Sequence, residues 1–331
     1  MTDFRPFGLD LEPEVVSALQ SGLRDVEKLL AESVTGDYPF LTEVGRHLVD
    51  AGGKRLRPLL VLLAAQFGVP TAPHVVPAAV VVELTHLATL YHDDVMDEAL
   101  LRRGAESANS RYGNSVAILT GDYLFARASD LLADLGPEAV RIQARTFARL
   151  VTGQVRETVG PRPDEDPVDH HLEVLADKTG SLIACSGRFG AMLSDASPEI
   201  VEIMADFGEK FGVAFQLSDD LLDIASEFQV SGKNPGTDLR EGVATLPVLL
   251  ARRSTDPADA RLLQLLAGPL TDDAEHAEAL DALRQHPAMT AARAETARWA
   301  EDARASLAPL PPGAVRAALE GLCDLVVTRT V

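Results

Sequence analysis

Apolar residues return every three or four positions along almost the whole chain, the spacing of one helix face, and no stretch alternates β-branched with polar residues between turn signals. The pattern predicts an all-α fold. Residues 73–96 and 197–227 hold the period well beyond the usual helix of about 11–12 residues, so the expected architecture is a large bundle of long helices. Punctuation agrees. Ala51-Gly52-Gly53 closes one helix, Gly136-Pro137 opens another with proline in its first turn, and Ser197-Pro198-Glu199 supplies a cap, a first-turn proline and an early acid. Proline and glycine cluster in GPRPDEDP (160–167), SGKNPGTD (231–238) and LAPLPPG (307–313), loops too short to link domains. With no repeat at a solenoid period, one domain is expected over residues 1–331.

Composition narrows the function. Fifty Asp and Glu outnumber thirty Lys and Arg, a net charge of −20 and a pI near 4.7, which leaves no footprint for gripping a nucleic-acid backbone. The longest apolar run, 77–91, is broken by Glu83 and His86 and falls short of the ~20 residues a bilayer requires, so no membrane span is expected. The opening MTDFRPFGLD does not read as a signal peptide. Two cysteines, Cys185 and Cys323, lie in apolar helical stretches, which excludes a disulfide framework and favours a reducing cytoplasm.

Asp-Asp-x-x-Asp occurs at 93–97 (DDVMD) and again at 219–223 (DDLLD), each time after an apolar helical run. With 28 aspartates in 331 residues, random placement yields roughly 0.2 such patterns, so a pair is a signal. On a helix Asp93 and Asp97 share a face one turn apart and Asp94 meets Asp97 at i+3; Asp219, Asp223 and Asp220 repeat the arrangement. Grouped carboxylates repel one another, and an all-oxygen donor set suits Mg²⁺, which takes one or two carboxylates and completes its shell with water and substrate phosphates. The two motifs therefore predict Mg²⁺ and a phosphorylated substrate.

An acidic protein that binds such a substrate needs fixed cations, and several flank the motifs. Lys54 and Arg57, in GGKRLRP (52–58), are spaced to share a face on the first turn of the next helix, where free backbone N–H groups also favour an anion. Arg102 and Arg103 follow Asp97 closely enough to fold back into the same cleft, and arginine's fork suits phosphate oxygens.

These residues resemble the trans-polyprenyl diphosphate synthases of the isoprenoid synthase superfamily across nearly the whole chain. The matching segments, in order, are GGKRLRP (52–58), ELTHLATLYHDDVMDEALLRRG (83–104), GDYL (121–124), KTG (178–180), FQLSDDLLD (215–223) and GKNPGTDLREG (232–242). The resemblance implies a single helical bundle around a deep central cavity, usually homodimeric, with the two aspartate motifs facing each other across its mouth. Carried over residue by residue, it puts Asp93, Asp97 and Asp219 first among the ligands of three Mg²⁺ ions, with Asp94, Asp220 and Asp223 in support. Arg102, Lys178 and Lys233 would bind an allylic diphosphate, and Lys54, Arg57, His86 and Arg103 would hold isopentenyl diphosphate. Thr179 and Gln216 would face the reacting carbon. His86 lies two turns before Asp93 on the same face, whereas His92, His170 and His171 have no such support and read as structural. The family often reads Glu-Gly-Lys-x-Thr-Leu-Pro where this chain has EGVATLP (241–247), so Val243 replaces a phosphate-binding lysine. The intact motifs still imply catalysis.

The implied reaction ionises the allylic diphosphate, adds the isopentenyl double bond to the cation and loses a proton, giving an all-trans polyprenyl diphosphate. Ala88 and Thr89, five and four residues before Asp93, would lie about 6–7.5 Å below it on a helix. Short-chain relatives often carry bulky aromatics there as a floor. The small Ala88 therefore implies an octaprenyl or nonaprenyl product, as for a quinone side chain, over a geranylgeranyl or farnesyl one. A terpene cyclase would lack GGKR and usually carry a different second motif. A phosphohydrolase built on His92 and Asp93 would leave the second motif unexplained, and a noncatalytic subunit of a heteromeric synthase would more readily have lost a motif. A cytoplasmic homodimer is expected, with a transient membrane contact left open for product release.

Overall fold

The computed structural model describes residues 12–225 and 235–329. They form the helices the periodicity predicts: α1 (Pro13–Ser33), α2 (Pro39–Asp50), α3 (Leu56–Ala65), α4 (Val75–Met96), α5 (Ala108–Tyr112), α6 (Asn114–Leu135), α7 (Pro137–Val159) and α8 (Pro167–Leu175). After a π-helical turn (Ala176–Gly180) follow α9 (Ser181–Met192), α10 (Pro198–Ala225), α11 (Thr237–Glu241), α12 (Leu246–Ala251), α13 (Ala260–Leu265), α14 (Asp273–Gln285), α15 (Pro287–Ser306) and α16 (Ala314–Thr328). Helix starts fall where the punctuation puts them: α7 begins at Pro137, and Ser197 caps α10, its Oγ accepting the Ile200 N–H. One feature was not expected, an antiparallel hairpin of β1 (Leu101–Arg102) and β2 (Ala105–Glu106). Two-residue strands are too short to leave a period in the sequence.

The residues group into two compact units. The first holds the residues up to Ala148 with Leu182–Gly208 and Pro309–Leu319; the second holds Arg149–Ser181, Glu209–Ala308 and the residues from Glu320 onward. In the first, α3 buries every residue but Arg57, and α4 packs against α1, α3 and α6. A helix apolar on all sides needs neighbours on all sides. The broken run at 77–91 thus belongs to a 22-residue helix long and apolar enough to cross a membrane by length and composition, but 67% of its apolar window is buried in protein, as in a core helix. Glu83 sits inside it paired with Arg55, which offsets part of the cost of burying its charge. The second unit has its own core, in which Val213, Leu217, Leu221 and Ile224 of α10 pack with Leu246 and Val248 of α12 and Leu280 and Leu283 of α14.

Candidate active site

In the first unit, α4 delivers Asp93 and Asp94 in its last turn, and Asp97 caps it, its N–H donating to the Asp93 carbonyl at 2.8 Å. Asp93 and Asp97 are reachable by solvent while Asp94 is fully buried. The hairpin then reverses the chain through Arg103 and Gly104, both at positive φ as a two-residue hairpin turn demands. That reversal brings Arg102 Nε to Asp94 Oδ1 at 2.5 Å and lets Arg103 donate to the carbonyls of Leu48, at 3.0 Å, and Gly52.

The segment between α2 and α3 departs from the expected geometry. Gly52, Gly53 and Arg55 all have positive φ and α3 starts only at Leu56, so Lys54 lies exposed before the helix and does not share a helical face with Arg57. What fixes the turn is Arg55, which carries no assigned role in the sequence. It reaches Glu83 Oε1 at 2.8 Å, Glu27 Oε1 at 2.5 Å, and the carbonyls of Val49 and Gly52 at 3.2 and 3.3 Å. A left-handed arginine is strained, and four partners offset that strain.

Around His86 the electrostatics are one-sided. Burial, then the charges of Arg57, Arg103, Arg102 and Arg55, hold its imidazole well below the ordinary pKa, so it is neutral at pH 7. Burial pushes the Arg57 guanidinium down to about 10 against the pull of Glu83, and Arg57 Nε is buried with no hydrogen-bond partner. Crowded guanidiniums with an unfilled donor describe a place for an anion.

The second unit gathers the other residues. The π-helical turn carries Lys178 and Thr179, and such turns recur at functional sites. It packs on α7 where Gly153 leaves room: a Cβ there would stand 2.8 Å from the Lys178 N. Lys178 Nζ pairs with Glu157 at 2.5 Å. Thr179 Oγ1 donates to Gln216 Oε1 at 3.3 Å, and Gln216 Nε2 donates to Asp220 Oδ1 at 3.1 Å, joining three predicted residues in one chain. Asp223 accepts the N–H groups of Thr237 and Asp238, at 3.2 and 3.1 Å, and so caps the start of α11. Burial, then Asp223 and Asp220, push the Asp238 carboxyl up to about 8. Lys233 lies outside the described residues.

The two motifs match in detail. In each, the second aspartate is buried, spends Oδ1 on an internal donor, and keeps an Oδ2 without a hydrogen bond: Asp94 on Arg102, Asp220 on Gln216. The first aspartate of each is accessible. Buried carboxylate oxygens outside any hydrogen bond suit a hard cation. Among the described residues no three His, Cys, Asp or Glu side chains form a cage, and Mg²⁺ does not require one because phosphates and water complete its shell. His171, which reads as structural in the sequence, has Nε2 3.5 Å from Asp220 Oδ2. His92 Nε2 lies 3.1 Å from the Ile118 carbonyl and 3.5 Å from Asp122 Oδ1.

Ala88 is fully buried on α4, and Thr89 turns its hydroxyl to the His86 carbonyl at 2.8 Å. One turn deeper, Thr85 accepts from Gln143 Nε2 at 2.7 Å.

A helical fold carrying two such aspartate motifs is of the isoprenoid synthase type, and solved relatives bear this out: geranylgeranyl pyrophosphate synthase from Corynebacterium glutamicum, complexed with calcium and isoprenyl diphosphate, superposes with a TM-score of 0.88 at 47% identity, over 97% of this chain and 99% of that one. The chain belongs to the polyprenyl synthetase family, whose profile matches residues 38–283. It is 52% identical to the nonaprenyl diphosphate synthase of Mycobacterium tuberculosis, over 97% of each chain. It is also 41% identical to the dimethylallyltranstransferase of the same organism, over 96% of this chain and 97% of that one.

Proposed function

We propose that the protein is a Mg²⁺-dependent prenyltransferase that condenses isopentenyl diphosphate with an allylic diphosphate to a medium or long all-trans polyprenyl diphosphate. The observation that carries this reading is the set of four arginines charging the surroundings of a neutral His86, two helical turns from Asp93. Arg57, Arg103 and the exposed Lys54 hold isopentenyl diphosphate, with His86 as a neutral partner. Arg102, Lys178 and Lys233 take the allylic diphosphate; until it arrives, Asp94 and Glu157 engage the first two. Asp93, Asp97 and Asp219 would ligate Mg²⁺, three ions on the family's pattern, supported by Asp94, Asp220 and Asp223. Bound Mg²⁺ supplies the charge that lets diphosphate leave. Thr179 and Gln216 turn oxygen dipoles toward the carbon that becomes positive, and the lost proton goes to the departed diphosphate. Val243 offers no contact to it. The chain works as one domain in the cytoplasm and as a homodimer, since α7 leaves Val151, Val155 and Val159 exposed at four-residue spacing, a stripe a second copy would cover.

The test is incubation with labelled isopentenyl diphosphate, Mg²⁺ and a series of allylic primers, with products sized by mass. Failure to incorporate label would overturn the reading. Relatives named for short products exist, but the small side chain at Ala88 favours a longer one. Ala88→Phe is expected to shorten the product to the geranylgeranyl range or below; an unchanged distribution would reject the pocket floor. Gly53→Ala tests the isopentenyl side. Its φ is +146° and a Cβ would meet the Arg103 guanidinium at 3.0 Å, so Arg103 must move. The KM for isopentenyl diphosphate should rise about tenfold with a smaller change in kcat, and an unaltered KM would separate Arg103 from that substrate.

A further inference from the structure

We propose that Arg329 is a positioning residue for the second aspartate motif, holding the Asp219 carboxylate in register for a divalent cation; this rests on the reading that Asp219 is a metal ligand. Arg329 directly follows α16 and continues its hydrogen bonding, its N–H donating to the Leu325 carbonyl at 3.1 Å. Its side chain is only 15% exposed. Nη1 lies 2.9 Å from Asp219 Oδ1, Nε donates to Ser218 Oγ at 2.6 Å, and Nη2 donates to the Phe215 carbonyl at 2.8 Å. The guanidinium also stacks over the Phe215 ring, with Cζ 4.3 Å from its centroid. Ser218 Oγ in turn donates to the Val326 carbonyl at 3.1 Å, so α16 is tied to this turn of α10 twice.

A planar fork with all three nitrogens engaged and one face stacked has a single orientation. Asp219, by contrast, is half-exposed on a short side chain with two torsions. Of the two partners, the aspartate is the one whose position the pair determines. The same turn carries Gln216, so the arginine also anchors the backbone on which that side chain stands. Groups that hydrogen-bond a ligating carboxylate fix its orientation, and their loss weakens metal binding.

The readout is Mn²⁺ binding to the full chain in the presence of inorganic diphosphate, whose oxygens complete the ion's shell, followed by electron paramagnetic resonance. Arg329→Gln is expected to weaken binding about tenfold, and Arg329→Lys, which restores the charge without the fork, should fall between Gln and the parent. The Mg²⁺ concentration for half-maximal turnover should rise in parallel. Unchanged Mn²⁺ binding in Arg329→Gln would overturn the proposal, as would tighter binding, which would make the arginine a competitor of the cation. If Arg329→Gln does not fold, Arg329→Lys must by itself weaken binding. Asp219→Ala separates the two readings: if it binds Mn²⁺ as the parent does, the metal assignment falls and takes this proposal with it.

Discussion

Replacing Asp93 with alanine is expected to lower turnover about 10²–10³-fold at saturating substrates, equivalent to roughly 2.7–4 kcal/mol of lost transition-state stabilisation, while leaving the melting temperature in place. The contrast within the motif supports both halves of that expectation. Asp94 is fully buried and holds Arg102 at 2.5 Å, so removing it would strand a cation and disturb the hairpin. Asp93 is partly accessible in the last turn of α4, where alanine keeps the helix intact. Its loss therefore takes charge from the reacting end of the site without opening the core. Steady-state rates across a Mg²⁺ series, with a parallel thermal melt, provide the check. Turnover within about threefold of the parent would remove Asp93 from the metal set.

The long helices are legible in the sequence because α10 repeats an apolar face at 3.6 residues and α4 is a long apolar run that only a core helix accommodates, each leading into its aspartates. The aspartate motifs are legible because the helix converts their spacing directly into a shared face. Residues that act across the fold leave no such mark. In GGKRLRP nothing distinguishes Arg55 from Lys54 until α1 and α4 bring Glu27 and Glu83 to it, and three positive-φ positions then move the start of α3 past Lys54. Arg329 and His171 reach Asp219 and Asp220 from remote parts of the chain. For Arg102 and Arg103 the sequence offers only proximity to Asp97, and a two-residue hairpin turn supplies the geometry.

Glu83→Ala should destabilise the first unit by about 3–5 kcal/mol, the usual result of leaving one partner of a buried ion pair uncompensated. The Glu83 side chain is 3% exposed, pairs with Arg55 at 2.8 Å, and its charge also favours the protonated forms of Arg57 and Arg103. Without it, Arg55 keeps Glu27 but loses its anchor on α4, and three guanidiniums lie together with less to offset them. Arg55 would then release the Val49 and Gly52 carbonyls, and with them the positive-φ turn that fixes Lys54 and Arg57. Glu83→Gln retains an oxygen for Arg55 without the charge and should fall between alanine and the parent. Because the uncompensated charge is guanidinium, inorganic diphosphate should raise the melting temperature of Glu83→Ala more than that of the parent. Urea denaturation measures the loss, and a change below about 1 kcal/mol would mean that Glu27 alone can hold the arginines.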